Sequence, residues 1–213
     1  MAISTQSIEA SAKFDEVRQS YECHDHQHAV AVLTLDFPEL FIEICDVLLT
    51  FHILVDEIKA PGGNESAIPK KVAELLRPKG WIERKLEAKQ VVDDIPISVD
   101  THKVDFVKGE VAFDLEWNSK DQTFDRDLLT FKAFFEYKKI AVAVLLTRST
   151  SLEKFFKDLG KYQDEKTGET KAYKDKFGAS TTHIDKLLPR LVAGRSAGCP
   201  VLAIGITNKQ IES

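Results

Sequence analysis

The sequence predicts an α/β fold in which a mixed central β-sheet is flanked by helices, and three observations carry that prediction. Residues 104–117 alternate strictly between apolar and polar on both arms of a hairpin. Residues 121–138 switch to a helical period, with Phe124, Leu128, Phe131 and Phe135 on one broad stripe and Asp121 as N-cap. Residues 140–147 are continuously apolar, as in a strand buried on both faces. Strand, helix and buried strand form a βαβ unit, which should be parallel and right-handed. Residues 200–206 supply another buried strand, and helices must cover both faces of such a sheet.

The remaining elements follow in chain order. Residues 29–35 read as a strand. Residues 38–54 read as an apolar helix with Pro38 in its first turn. Pro61-Gly62-Gly63-Asn64 is a loop. Residues 70–76 form a short helix that ends near Pro78-Lys79-Gly80, and residues 81–86 lead towards a strand. Residues 154–176 are lysine-rich and mixed in charge, part helix and part loop, and residues 182–192 form a further helix. No repeat or long linker divides the chain, so residues 1–213 are expected to be a single domain. Its core spans about 100–206, and its N-terminal strand and helices span about 14–99.

The 213 residues are 43% hydrophobic and 30% charged, with a net charge of −5. That composition belongs to a folded chain and argues against coating nucleic acid by bulk charge; a local basic surface remains compatible with DNA contact. No apolar run approaches the roughly 20 residues that span a bilayer, and no basic segment followed by an apolar one marks a secretion signal. Three widely spaced cysteines suggest reduced thiols, hence a cytoplasmic protein. P-loop and helicase motifs are missing, so no nucleotide cofactor is expected.

The hairpin carries the chemistry. Gly109-Glu110 places glycine first, as a two-residue type II′ turn requires. The register that follows sets Asp105 opposite Asp114, with β-carbons roughly 4.5–5.5 Å apart. Val104 and Phe106 then share a face with Val111, Phe113, Leu115 and Trp117, while Asp105, Asp114 and Glu116 share the other. Opposed like charges destabilise a sheet unless something positive lies between them. Magnesium suits such a place, because it takes oxygen ligands and can activate water beside a phosphate, which makes Asp105, Asp114 and Glu116 the candidate metal-binding and catalytic residues. The plainer alternative is a solvated hairpin face. Against it, the hairpin should belong to the central sheet, and its acidic face carries no lysine or arginine.

Asp105, then Asp114, one residue and Glu116 resembles the bipartite motif of the PD-(D/E)XK nucleases. More closely, Asp105-Phe-Val-Lys-Gly-Glu-Val-Ala-Phe-Asp-Leu-Glu-Trp117 resembles the BglII/BstYI type II restriction endonucleases, which carry a DFVK…VA(I/V)E-V-Q-F segment there. The likeness extends through Asp127-Leu128, the buried strand and Gly194-Arg195-Ser196 to Ile206. It is good over residues 104–147 and the last strand, suggestive over 75–86 and loose over the first 70 residues. The resemblance implies a restriction-endonuclease-like core and one or two Mg2+ per active site, bound by Asp105 and Asp114. Glu116 takes the position usually held by lysine. It further implies double-strand cuts in a short palindrome, with a GATC-centred site suggested, by a homodimer whose two sites serve two antiparallel strands. Two departures stand out: Asp114 replaces glutamate, and Glu116 replaces glutamine, although BamHI-like enzymes use glutamate there. A non-cleaving DNA-binding relative and a non-restriction nuclease of the superfamily, such as a repair enzyme, are the alternatives.

Candidate DNA contacts lie in three loops. Asn118, Ser119 and Lys120 follow the acidic strand, where related enzymes begin their groove and phosphate contacts, with Gln122 close behind; a polar loop with a helix cap is the alternative. Arg148 and Ser149 sit at the carboxyl end of the buried strand, and Arg195 and Ser196 in a glycine-flanked loop, both suited to phosphate or guanine. Arg126 reads as a helix-surface ion pair with a nearby aspartate. Lysines 154–176 read as a solvated face. Cys23-His24-Asp25-His26-Gln27-His28 could present alternate histidines to zinc, but a polar strand start explains it better. Trp81 and Trp117 read as core anchors.

Overall fold

The structure, a computed structural model, describes residues 3–60, 66–164, 167–178 and 180–212, so the loop at residues 61–64 lies outside the described residues. The chain begins with α1 (Thr5–Ser20), β1 (Tyr21–His26), α2 (Ala29–Asp36), α3 (Pro38–Thr50), β2 (Ile53–Leu54), α4 (Val55–Lys59) and α5 (Ala67–Leu76). It continues with β3 (Ile82–Val92), β4 (Ile95–Lys108), β5 (Val111–Glu116), α6 (Thr123–Glu136), β6 (Val142–Arg148) and α7 (Leu152–Asp158). The last elements are β7 (Lys161–Gln163), β8 (Thr170–Ala172), α8 (Ile184–Val192), β9 (Val201–Ile206) and β10 (Ile211–Glu212).

Six strands form one mixed sheet in the order β1-β9-β6-β5-β4-β3. β5, β6 and β9 are mutually parallel, and the outer pairings are antiparallel. β5-α6-β6 is the expected βαβ unit. β6 and β9 are buried along their whole length because both faces are covered. On one face α1, α2, α3 and α5 bring Phe14, Leu33, Phe41, Leu48 and Val72 against Phe113, Leu115, Val144 and Ile204. On the other, α6 and α8 bring Phe124, Leu128, Phe131 and Leu187 against Ala112, Leu145 and Ala203. Each such fully buried large side chain contributes roughly 1.5–3 kcal/mol. Trp81 and Trp117 are core anchors as expected, and the Trp81 indole donates to Glu43, which also takes Lys108 at 2.7 and 2.9 Å. That network fastens the hairpin end to α3.

Several expectations change. Residues 29–35 are helical rather than a strand. The sheet position beside β9 belongs to β1, and Gln27 and His28 (φ 54° and 61°) reverse the chain so that α2 packs back on the sheet. Asp25 accepts from the Val30 amide at 3.1 Å and satisfies an N-terminal donor of α2. α3 stops at Thr50, since Ile53 and Leu54 pair with Ile211 and Glu212. Gln122 rather than Asp121 is the α6 N-cap, and Asp121 instead faces Arg190 at 3.6 Å. Phe134 is fully packed, while Phe135 is only partly buried.

The β4–β5 ladder has the predicted register, with Phe106↔Phe113, Val107↔Ala112 and Lys108↔Val111. Gly109 has φ +56°, and Glu110 is not among the positive-φ residues, as in a type II′ turn. A β-carbon at Gly109 would also meet Leu40 at 3.3 Å. Gly109→Ala is therefore expected to cost about 1–2 kcal/mol in urea unfolding; an unchanged midpoint would contradict that strained-turn account.

Val104 does not share the face of Phe106. It packs in the α6-side core, because β4 shifts register against β3 between Ile82↔Val107 and Arg84↔Val104. Three residues of β4 there span two of β3, a bulge that flips the alternation. Asp105 lies in this bulge. Beyond it β3 and β4 continue as a two-stranded ribbon to the Asp93-Asp94 turn, a feature for which the sequence reading had no element.

Candidate active site

The paired β4–β5 ladder ends at Phe106↔Phe113, and the acidic residues begin there. With Asp105 displaced by the bulge, its amide donates to Asp114 Oδ1 at 3.0 Å instead of to a strand carbonyl. Burial raises both carboxyls, and the charge of Asp105 raises that of Asp114 further. Asp114 and Glu116 are buried beneath α6, whereas Asp105 opens to the surface.

α6 adds a fourth acid, Asp127, which is 2% exposed. Arg126 donates to its Oδ1 from Nε at 3.0 Å and Nη2 at 2.9 Å, and from Nη2 to Glu116 Oε1 at 3.3 Å. Arg126 thus pairs with a nearby aspartate, but on a buried acid beside Glu116 rather than on an open helix surface. The acidic face of the hairpin, bare of cations by itself, receives this one from the helix. Sequence reasoning missed Asp127. The available signal was an acid on the apolar stripe, three residues after Phe124 and just before Leu128.

Four carboxyls around one guanidinium cannot all be charged without further compensation. Burial, and then the charges of Asp105 and Asp127, hold the Asp114 carboxyl well above the usual range. Burial and Asp127 push Glu116 up to about 7, with a Ser119 hydrogen bond and Arg126 pulling the other way. Burial raises Asp127 to about 6 despite Arg126. Asp127 Oδ2 is buried with no hydrogen-bond partner among the described residues. This donor set of hard oxygens with surplus negative charge fits a divalent cation. Among the described residues no three His, Cys, Asp or Glu side chains are already closed to a metal-holding arrangement, and Glu116 is drawn to Arg126.

A stability prediction follows from these directions. The folded protein holds protons on Glu116 and Asp127 that the unfolded chain releases at lower pH. Stability of the metal-free protein is therefore full below about pH 4 and lost as pH rises towards the folded values near 6 and 7. The slope reaches about 1.4 kcal/mol per pH unit for each such proton. Melting scans from pH 5 to 8 should fall less steeply in Glu116→Gln than in wild type, and Mg2+ should stabilise wild type more at pH 8 than at pH 6. Equal slopes in the two proteins would remove the raised Glu116.

The other candidate residues are placed as follows. Asn118 is exposed and donates to the Lys176 carbonyl at 3.1 Å; Ser119 is half-buried; Lys120 is exposed and bridges to Thr181. Arg148 is only 3% exposed. Its Nε donates to the Trp117 carbonyl at 2.7 Å and the Thr182 carbonyl at 3.1 Å, and the rings of Trp117, Phe156 and Phe177 surround it. It ties the loop after β5 to the segment before α8, where Thr182 also donates to Ser119 at 2.9 Å. Ser149 is buried against Ser151. Arg195 is exposed and paired with Asp125, and Ser196 is fully buried with no partner for its hydroxyl among the described residues. Residues 23–26 lie in β1, and His24 bonds to Glu22 at 2.8 Å.

A family model described as restriction endonuclease BglII/BglIII matches residues 21–206, from the first residue of β1 to the last of β9. The chain belongs to this family. The match includes the hairpin, the bulge and all four acids. No curated protein matches the chain. Membership makes it a nuclease of a DNA-binding restriction family. Among the described residues, no helix is long and apolar enough to cross a membrane.

Proposed function

We propose that this chain is a Mg2+-dependent type II restriction endonuclease that cuts both strands of a short palindromic DNA site as a homodimer. One observation carries the reading: Asp105 and Asp114 meet where β4 and β5 part, with Glu116 and Asp127 buried beside them. On this reading residues 1–213 act as a single domain in the cytoplasm, with the core over about 100–206. Asp105 and Asp114 would hold the metal, one or two ions per site, with Glu116 next to them. What a divalent cation supplies when bound is a Lewis acid that acidifies water and offsets charge developing on the phosphate. Glu116 would accept the proton that the attacking water sheds, which a protonated lysine could not do. Arg126 and Asp127 hold Glu116 in position. Asn118 and Lys120, exposed at the end of β5, are the groups proposed to reach bases or phosphates first, with Arg195 available from its own loop. Arg148, Ser149, Ser119 and Ser196 would act from behind, by shaping those loops.

The test is digestion of unmethylated phage DNA with Mg2+ or with EDTA. Discrete bands that need Mg2+ are expected. A smear would leave a nuclease without restriction specificity. DNA binding without cutting, over many DNAs and divalent metals, would leave a non-cleaving relative.

A further inference from the structure

Phosphodiester hydrolysis adds negative charge to the phosphate, and sites of this kind usually meet it with a cation. β5 supplies none, because Glu116 stands in the usual lysine position. Arg126 is already engaged by Asp127 and Glu116. One other arginine lies close enough to stabilise the charged form of Asp105, and it is Arg77.

Arg77 opens the 3-10 turn that follows α5. It lines a cavity of about 590 Å3 together with Lys70, Glu74, Glu83, Asp105 and Leu115. That volume is within the usual range for small-ligand sites. The wall is of mixed charge, but Glu83 is paired with Lys103 at 2.6 Å, leaving Glu74 and Asp105 opposite Lys70 and Arg77. Arg77 is exposed, and among the described residues its guanidinium takes part in no hydrogen bond or ion pair. A planar fork of donors matches two phosphate oxygens, and an unpaired one needs no internal bond broken to do so.

We propose that Arg77 is the phosphate-binding cation of this site, taking the non-bridging oxygens of a DNA phosphodiester in the cavity beside Asp105. The inference rests on the endonuclease reading. It places substrate on the α5 side of the β4–β5 gap, where Asp105 is open, and assigns to the end of α5 a charge that β5 does not supply.

The experiment compares wild type, Arg77→Met, Arg77→Lys and Lys79→Met; Lys79 is an exposed neighbour that does not line the cavity. Arg77→Met should melt like wild type yet lose about 10²-fold in kcat/KM, with Arg77→Lys recovering part of the loss and Lys79→Met staying within about threefold. In binding assays with Ca2+ in place of Mg2+, the slope of log affinity against log salt should shrink by about 0.9 in Arg77→Met, one phosphate's share. Neutral methylphosphonates placed singly along the site should weaken wild-type binding at one position where Arg77→Met shows no further loss. Overturning results are cleavage by Arg77→Met within threefold of wild type, or the same methylphosphonate pattern in both proteins. A wild-type protein that cuts no DNA would instead remove the endonuclease reading itself.

Discussion

Asp114→Asn is expected to cleave DNA at least about 10³-fold more slowly than the wild type, while folding as well or better at pH 8. The rate follows from the loss of a carboxylate ligand, since Lewis-acid stabilisation is worth several kcal/mol and each 1.4 kcal/mol is about tenfold. The stability follows from the site itself. Asp114 is 4% exposed, and burial together with the charges of Asp105 and Asp127 holds its carboxyl well above the usual range. An uncharged amide of the same shape keeps an acceptor for the Asp105 N–H and removes the cost of ionising a buried acid among acids. Loss of cutting together with loss of folding would assign Asp114 a structural role. Retained cutting would remove it from the metal site.

Arg148→Met is the substitution expected to cost most in stability, about 2–4 kcal/mol in urea unfolding, even though Arg148 is itself a candidate for DNA contact. Its side chain is enclosed by three aromatic rings, and burial pulls its pKa down to about 10, so it remains charged at neutral pH. Removing it strands the Trp117 and Thr182 carbonyls, and unpaired buried acceptors cost roughly 1–3 kcal/mol each. Methionine refills most of the volume, which confines the loss to the polar contacts. The loop after β5 should loosen with it, so exchange of the Thr182 and Asp121 amides, which donate to the Ser119 and Ser180 carbonyls, is expected to speed up. A variant as stable as wild type, but weaker on DNA, would return Arg148 to the DNA surface.

The sequence made the acidic hairpin legible because its signals are local. Gly109-Glu110 sets the turn, the turn sets the register, and alternation then collects Asp114 and Glu116 on one face. β6 and β9 were legible for a similar reason, as unbroken apolar runs bounded by turns. What failed depended on neighbours distant in sequence. The bulge at Asp105 leaves no mark in residue type, so alternation carried Val104 to the wrong face. Residues 29–35 look like a strand, and only the placement of β1 beside β9 excludes them from the sheet. Arg148 looks like a ligand group at a strand end until Thr181 and Thr182 cover it. Asp127 was visible in principle, since a carboxylate on the packed stripe of α6 calls for a partner; its partners, Glu116 and Arg126, become apparent only when α6 folds onto β5.

The most direct test of the central claim is to sequence the DNA ends produced from a random-sequence library by wild type and by Asp114→Asn, each with Mg2+. The account predicts that wild-type ends map to one short sequence with two-fold symmetry, cut on both strands, and that Asp114→Asn yields no such ends. Ends scattered without a common sequence, or the same mapped site from both proteins, would contradict it.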